Sequence, residues 1–343
     1  MSATLETVPG SPAGDPGDPR TTGANPTADT LRALGPSGLD LRGADLRGQD
    51  LSGLDLSGGD LAHANLARAK LSFCRMRNAN LHGADLSGCE LLGCDLSGAD
   101  LTECKAERAG FGGAVLEGAT FTTALLAGAT FSQARAAGAR FAGAVLSGAR
   151  LRACDLSDTD FTHAELADAD LEESRVDGAC FVEADVQGAN LRGVLGYTRA
   201  TWLGADTRNA NFRGALLMKR HIEDENYLHE FRTQSRANAL LYHLWWLTSD
   251  CGRSFSRWAA FTMILSVLFA VAYRFVAIDF GPNETILSPL YFSVVTLTTL
   301  GYGDALPVSA TAQLVVMAEV ITGYVALGGL LSVFATKMAR RAE

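Results

Sequence analysis

From Leu41 to Leu191 every fifth residue is one that packs, and all but Ala106 and Ala136 are Leu, Phe, Val or Met. Two residues before it stands a small residue, as at Ala44, Ala64, Ala79 and Ala84, and then without a break as alanine from Ala109 to Ala149. Leu39, Gln49 and Leu54 depart from this near the start, where a capping turn belongs. A helix repeats at 3.6 residues and a strand at 2, so neither element alone produces a period of five. Self-similarity at a short fixed period describes a solenoid, whose units bury their apolar faces only by stacking on one another.

Composition matters where the period is absent or interrupted. Residues 1–37 hold six of the nine prolines, with Gly, Thr, Asp and Ala and almost no large apolar side chains. Such a segment buries too little surface to offset its ordering entropy, so it is predicted to be disordered over 1–37. It has no basic start followed by an apolar stretch, so no secretory signal peptide is expected and the N-terminus is expected in the cytosol. Five of the seven cysteines, Cys74, Cys89, Cys94, Cys104 and Cys154, fall on the small-residue phase, while Cys180 and Cys251 lie off it. No histidine joins them at ligand spacing, so they read as small packing residues rather than as disulfides or a metal site.

The stretch "ADLSGCELLGCDLSGADL", residues 84–101, resembles the pentapeptide-repeat family, whose pattern is A-(D/N)-L-x-x. The resemblance implies a right-handed quadrilateral β-helix over residues 38–217, with four pentapeptides to a coil. It then makes about eight coils in a column on the order of 35–40 Å long at ~4.8 Å per coil. After Leu191 the register slips through "GVLGYTRATWLGADTRN", and it is expected to resume at Phe212 and Leu217 as an irregular final coil. Such a column serves as a spacer, a cap or a platform for an unidentified cytoplasmic ligand or protein.

Nucleic acid is not an expected partner. Acidic residues precede the interior position from Asp40 to Asp60, Asp85 to Asp100 and Asp155 to Asp170, but Lys70, Arg75, Arg135, Arg140 and Arg150 interrupt the same phase. The face is therefore mixed rather than a phosphate mimic, and the net charge of -9 argues against general nucleic-acid binding. His63, His82 and His163 sit at solvent-facing phases without a paired nucleophile, so no enzyme activity is expected.

The rest of the chain abandons the repeat. Residues 218–257 form a linker in which "YLHEFRTQSRANALLYHLWWL" spaces its apolar residues at three and four, predicting an amphipathic helix or helix pair. Trp245 and Trp246 suit the headgroup zone of a bilayer. This linker either packs on the last coil or lies at the interface and passes motion onward. Residues 258–343 form the last domain, beginning with the 21-residue "WAAFTMILSVLFAVAYRFVAI", whose one charge, Arg274, can snorkel outward. A second apolar run between Asp304 and Lys337 carries only Glu319. Arg253 and Arg257 precede the first run and Lys337, Arg340 and Arg341 follow the second, whereas Asp279, Glu284 and Asp304 lie between them. The positive-inside rule then predicts a multi-pass protein of the cell (inner or plasma) membrane with both ends in the cytoplasm.

Between the runs, "SPLYFSVVTLTT" opens with Ser288 as N-cap and Pro289 as first helical residue, and stays apolar for too few turns to span. A re-entrant helix of that kind is tolerated only where protein buries it, and its C-terminal end near Thr298 attracts cations. The following Thr299-Leu300-Gly301-Tyr302-Gly303-Asp304 resembles the T-x-G-Y-G-D selectivity signature of potassium channels, and the two-crossing layout resembles their pore domain. The resemblance implies a homotetramer in a lipid bilayer. It places potassium at the carbonyls of Thr299, Leu300, Gly301 and Tyr302, with Gly303 completing the filter and Thr298 and Asp304 flanking it. Leu300 departs from the commoner Val or Ile. No cofactor is implied beyond the permeant ion.

The same resemblance implies a gating hinge at Gly323, 19 residues past Asp304, and Gly328 and Gly329 are alternatives, each as hinge or as packing residue. Glu319 either lines the cavity or hydrogen-bonds behind the filter. The alternatives to a potassium channel are a membrane-anchored scaffold and a poorly selective cation channel of the same layout. No Arg-rich crossing, EF-hand loop or nucleotide-binding glycine loop appears in the sequence.

Overall fold

The computed structural model of the chain describes residues 26–34, 39–252, 254–282 and 284–342. It divides into two compact units, Met1–Tyr227 and Leu228–Glu343. In the first, each position of the pentapeptide has its own task. The carboxylate before the interior residue accepts from the backbone N–H two residues on, as Asp50 does from Ser52 (3.1 Å) and Asp100 from Thr102 (2.9 Å). That Asx-turn bends the chain round a corner of the coil. Two residues past the interior position the backbone is left-handed, as at Gly118 with φ of 67°.

Stacking does the rest. Leu46 N donates to Asn65 O (2.8 Å) and Asn65 N to Ala44 O (2.9 Å), so each coil is bonded to the next by parallel bridges, from Asp40↔Asp60 to Arg175↔Leu195. The whole series of fifth residues from Leu41 to Leu191 is buried, as the period requires. Phe121, Phe141, Phe161, Phe181 and Trp202 form one continuous stack, with successive ring centroids 4.8, 5.2, 5.0 and 4.1 Å apart. Aromatic rings stacked in this way add to their area burial. The small phase tolerates polar atoms that find a carbonyl, as Cys89 Sγ donates to Leu66 O (2.7 Å) and Thr159 Oγ1 to Ala136 O (3.2 Å).

Both ends of the column are covered, which removes the exposed strand edges of a stacked sheet. At the start, helix α1 (Ala28–Leu34) sets Leu31 into the core, Arg32 donates to Asp50 O and Gln49 donates to Pro26 O, both at 3.2 Å. Within the 1–37 stretch expected to be disordered, Ala28–Leu34 is instead helical, and Leu31 anchors it in the core. Residues 1–25 and 35–38 lie outside the described residues. At the other end Cys180 pairs with Thr201, so one residue has been inserted and Trp202 takes the interior place. Phe212 is buried as expected, but Leu217 is not an interior residue: it is exposed on helix α2 (Leu216–Gln234). Glu225 and Asn226 of α2 accept from Trp202 N (3.2 Å) and Gly204 N (2.8 Å), replacing the strand that a further coil would have supplied.

The buried thiols give the column a pH limit. Burial pushes Cys89, Cys104 and Cys154 from 9.0 up to about 12. Raised folded values mean that the stabilisation is complete below pH 9 and is lost as pH climbs toward about 12. Thermal melts of the wild type should therefore decline above pH 9, and decline less in a variant with alanine at these three positions. At neutral pH a thiol reagent should label the half-exposed Cys180 and Cys251 first.

In the second unit, Ser235 breaks the linker into two helices by accepting from Asn238 N (3.1 Å), which starts α3 (Arg236–Ser249). Helix α4 (Phe255–Ala272) runs into a 3₁₀ turn (Tyr273–Phe275), followed by strand β1 (Ile278–Asp279), α5 (Ser288–Leu297), β2 (Leu306–Pro307) and α6 (Ala310–Ala342). Phe255–Phe275 and Ala310–Ala335 are long and apolar enough to cross a membrane, and only 11% and 17% of an 18-residue apolar stretch in each is buried within the chain. Trp258 Nε1 donates to Ala326 O (2.9 Å) and pins one span to the other. Gly329 is required there, since a Cβ would stand 2.3 Å from Trp258 Cζ2, while Gly328 faces open space.

Candidate functional site

Helix α5 begins one residue earlier than Ser288 was expected to allow. Leu287 occupies the N-cap, and the Ser288 hydroxyl accepts from Thr285 N (2.7 Å) instead of capping the helix from outside. Pro289, expected as the first helical residue, is therefore the second, still within the first turn. The helix ends in a Schellman motif: Leu300 N donates to Val295 O and Thr299 N to Thr296 O, both at 3.0 Å. The left-handed residue of that motif is usually glycine, yet here it is Thr299, with φ of 60°. A β-branched residue in that conformation is strained.

Past Thr299 the chain alternates. Thr299, Gly301 and Gly303 have φ of 60°, 51° and 76°, while Leu300 and Tyr302 between them stay on the negative side. Alternation of this kind turns successive peptide planes the same way, so that carbonyls line one side of the strand and N–H groups the other. Thr298 Oγ1 is occupied with Val294 O (2.6 Å). Beyond Asp304, Ala305 is buried and β2 pairs with β1 through Ile278↔Pro307 and Asp279↔Leu306. The segment is therefore fastened on one side by the end of α5 and on the other by a short ladder.

A cleft of about 330 Å³ lies between this segment, α5 and α6, lined among others by Val295, Thr299, Tyr302, Asp304, Val320 and Tyr324. In one copy of the chain Leu300 and Tyr302 remain 60% and 66% exposed. Gly323 approaches the last turn of α5 so closely that a Cβ would stand 2.4 Å from Leu297 O. It is thus a packing position, whether or not the helix also bends there. Glu319 is fully buried and accepts from the Tyr273 and Ser293 hydroxyls, so of its two expected roles it takes the hydrogen-bonded one. Sequence reasoning missed both partners; the signal for Ser293 was a hydroxyl between Phe292 and Val294 on a mostly apolar helix.

Comparison with known proteins gives each region a counterpart. Residues 37–66, 64–103, 94–131, 124–157 and 154–193 match the model for pentapeptide repeats, in eight copies. Residues 251–340 match the model of an ion channel family. Over 82 residues the chain is 35% identical to the voltage-gated potassium channel Kch of Escherichia coli, covering 23% of this chain and 18% of that protein. Over 97 residues it is 31% identical to two-pore potassium channel 1 of Arabidopsis thaliana, covering 28% and 27%. The chain thus spans about a quarter or less of the length of these curated relatives. Among solved structures, the pentapeptide repeat protein HetL of the cyanobacterium Nostoc is 25% identical with a TM-score of 0.37, covering 53% of this chain and 89% of that one.

Proposed function

We propose that this chain, in which pentapeptide repeats are joined to an ion-channel domain, forms a homotetrameric potassium-selective channel of the cell membrane. It catalyses no reaction. Helix α5 acts as the re-entrant pore helix and Thr299, Leu300, Gly301, Tyr302 and Gly303 as the selectivity filter, flanked by Thr298 and Asp304. The observation that carries the reading is the strained Thr299 at the head of a run of alternating φ. Glycine would relieve that strain, so the position is occupied by threonine for its hydroxyl, which joins the carbonyls of Thr299, Leu300, Gly301 and Tyr302 as an ion ligand.

A potassium ion enters by exchanging water oxygens for peptide oxygens of similar strength, and the negative end of α5 favours the cation on its inner side. One chain supplies one wall. Four copies close the ring and cover the exposed Leu300 and Tyr302. Arg257 in the first turn of the first span, against Asp279, Glu284 and Asp304 between the spans, supports cytoplasmic termini. The column then stands in the cytoplasm as an assembly, regulatory or interaction domain, and Gly323 is the point at which α6 pivots against the pore helix.

Purified protein in liposomes is expected to pass potassium far faster than sodium. Equal fluxes of the two ions through an intact tetramer would leave a cation channel without selectivity. A monomer in mild detergent with no flux under any condition would leave a membrane-anchored scaffold.

A further inference from the structure

A carboxyl group inside a membrane domain is costly unless its oxygens are satisfied. Glu319 meets that requirement with two partners from two other elements. The Tyr273 hydroxyl, at the end of the first span, donates to Oε2, and the Ser293 hydroxyl, on α5, donates to Oε1. Tyr273, Ser293 and Glu319 are each at most 1% exposed. One turn further along both helices, Leu297 of α5 meets Gly323 of α6 at a separation that only glycine allows. Helix α5 is therefore held against α6 at two successive turns, Ser293 on Glu319 and Leu297 on Gly323, immediately before the left-handed Thr299.

The same node reaches the far side of the Gly-Tyr-Gly segment. The Tyr273 ring packs edge-on against Phe292 (5.1 Å between centroids), and the two share a buried cluster with Ala305, the residue after Asp304. Three elements and both ends of the segment thus converge on one side chain.

We propose that Glu319 is a positioning residue for ion selection: by holding Tyr273 and Ser293 on its two oxygens it sets the height of α5 and so the carbonyl spacing of residues 299–302. This rests on the channel reading above. Glu319 touches no ion itself; it acts through α5. Two hydroxyl donors each need an acceptor, and a carboxyl offers one oxygen to each. Glutamine keeps the shape and one acceptor, and its amide N–H can donate to the second hydroxyl once that hydroxyl turns. Valine offers neither.

The test compares wild type, Glu319→Gln and Glu319→Val in liposomes, reading potassium flux, the potassium-to-sodium flux ratio and the assembly state in detergent. The Val variant is expected to remain a tetramer but to lose flux about tenfold or more and to pass sodium relatively better, as the loss of hydrogen bonds to a carboxyl group implies. The Gln variant should stay within about threefold of wild type, whereas Glu319→Leu, which fills a similar volume without an acceptor, should lose flux and selectivity as the Val variant does, an outcome a purely volume-filling role would not produce. If the Val variant fails to assemble, Ser293→Ala and Tyr273→Phe each remove one donor, and each is expected to lower the flux ratio in an intact tetramer. Wild-type flux and selectivity in the Val variant, or in both donor variants, overturns the proposal. A silent wild-type tetramer overturns the channel reading and this inference with it.

Discussion

Gly301→Ala is expected to abolish potassium flux while leaving the column folded. Gly301 has φ of 51°, and beyond its immediate chain neighbours no atom of its own chain lies within 4 Å of where a Cβ would be, so the cost within one copy is conformational rather than steric. Left-handed backbone costs a residue with a side chain about 1–2 kcal/mol, and a tetramer incurs that cost four times around one axis. The strain is relieved by rotating a peptide plane, which takes a carbonyl off the ion path. A matched control lies in the column: Gly118, with φ of 67°, is equally open around its Cβ. Ala153 already occupies the equivalent turn position with φ of 54°. Gly118→Ala should therefore cost about 1 kcal/mol of column stability and nothing in flux. Liposome flux alongside circular dichroism separates the two effects, and full conduction by Gly301→Ala would contradict the assigned role of this backbone.

Phe161→Ala should cause a large loss of stability in the column. Its ring lies between Phe141 at 5.2 Å and Phe181 at 5.0 Å and is fully buried. Removing a buried phenylalanine costs about 3–5 kcal/mol, part of it for the cavity left behind. In a solenoid that cavity breaks the contact between neighbouring coils, which is the interaction that holds each coil in place. A fall in melting temperature of about 10 °C is expected for a unit of this size. Phe161→Leu should fall much less, because leucine fills the same phase elsewhere in the column. A melting temperature unchanged by the alanine variant would show that the stack is not what holds the coils together.

How much of this was legible in the sequence depended on whether a local pattern or a tertiary contact fixed the feature. The column was legible because no helix or strand repeats at five, and because each pentapeptide carries its own turn chemistry. Its ends were not. Gln49 looked like a departure from the pattern until its amide was seen to donate to Pro26 O, Leu31 lay outside the repeat until α1 set it into the core, and a single inserted residue after Leu191 moved Trp202, rather than a residue in the original phase, into the stack. Leu217 continued the arithmetic of the repeat but was claimed by the start of α2. In the membrane domain, length and hydropathy marked the spans, and the glycine spacing marked the segment between them. The facing of Glu319 was not legible, because a lone acid in an apolar helix has no direction until its partners on other elements are known. The left-handed Thr299 was hidden for a related reason: its conformation follows from how α5 ends, whereas β-branched residues on their own argue against it.

The most direct test is an experimental density map of the assembled protein in potassium. The account predicts four copies around one axis, with the carbonyls of Thr299, Leu300, Gly301 and Tyr302 turned inward around a column of ion density. Subunits that do not gather in fours, or a Gly-Tyr-Gly segment facing away from the axis, would contradict it.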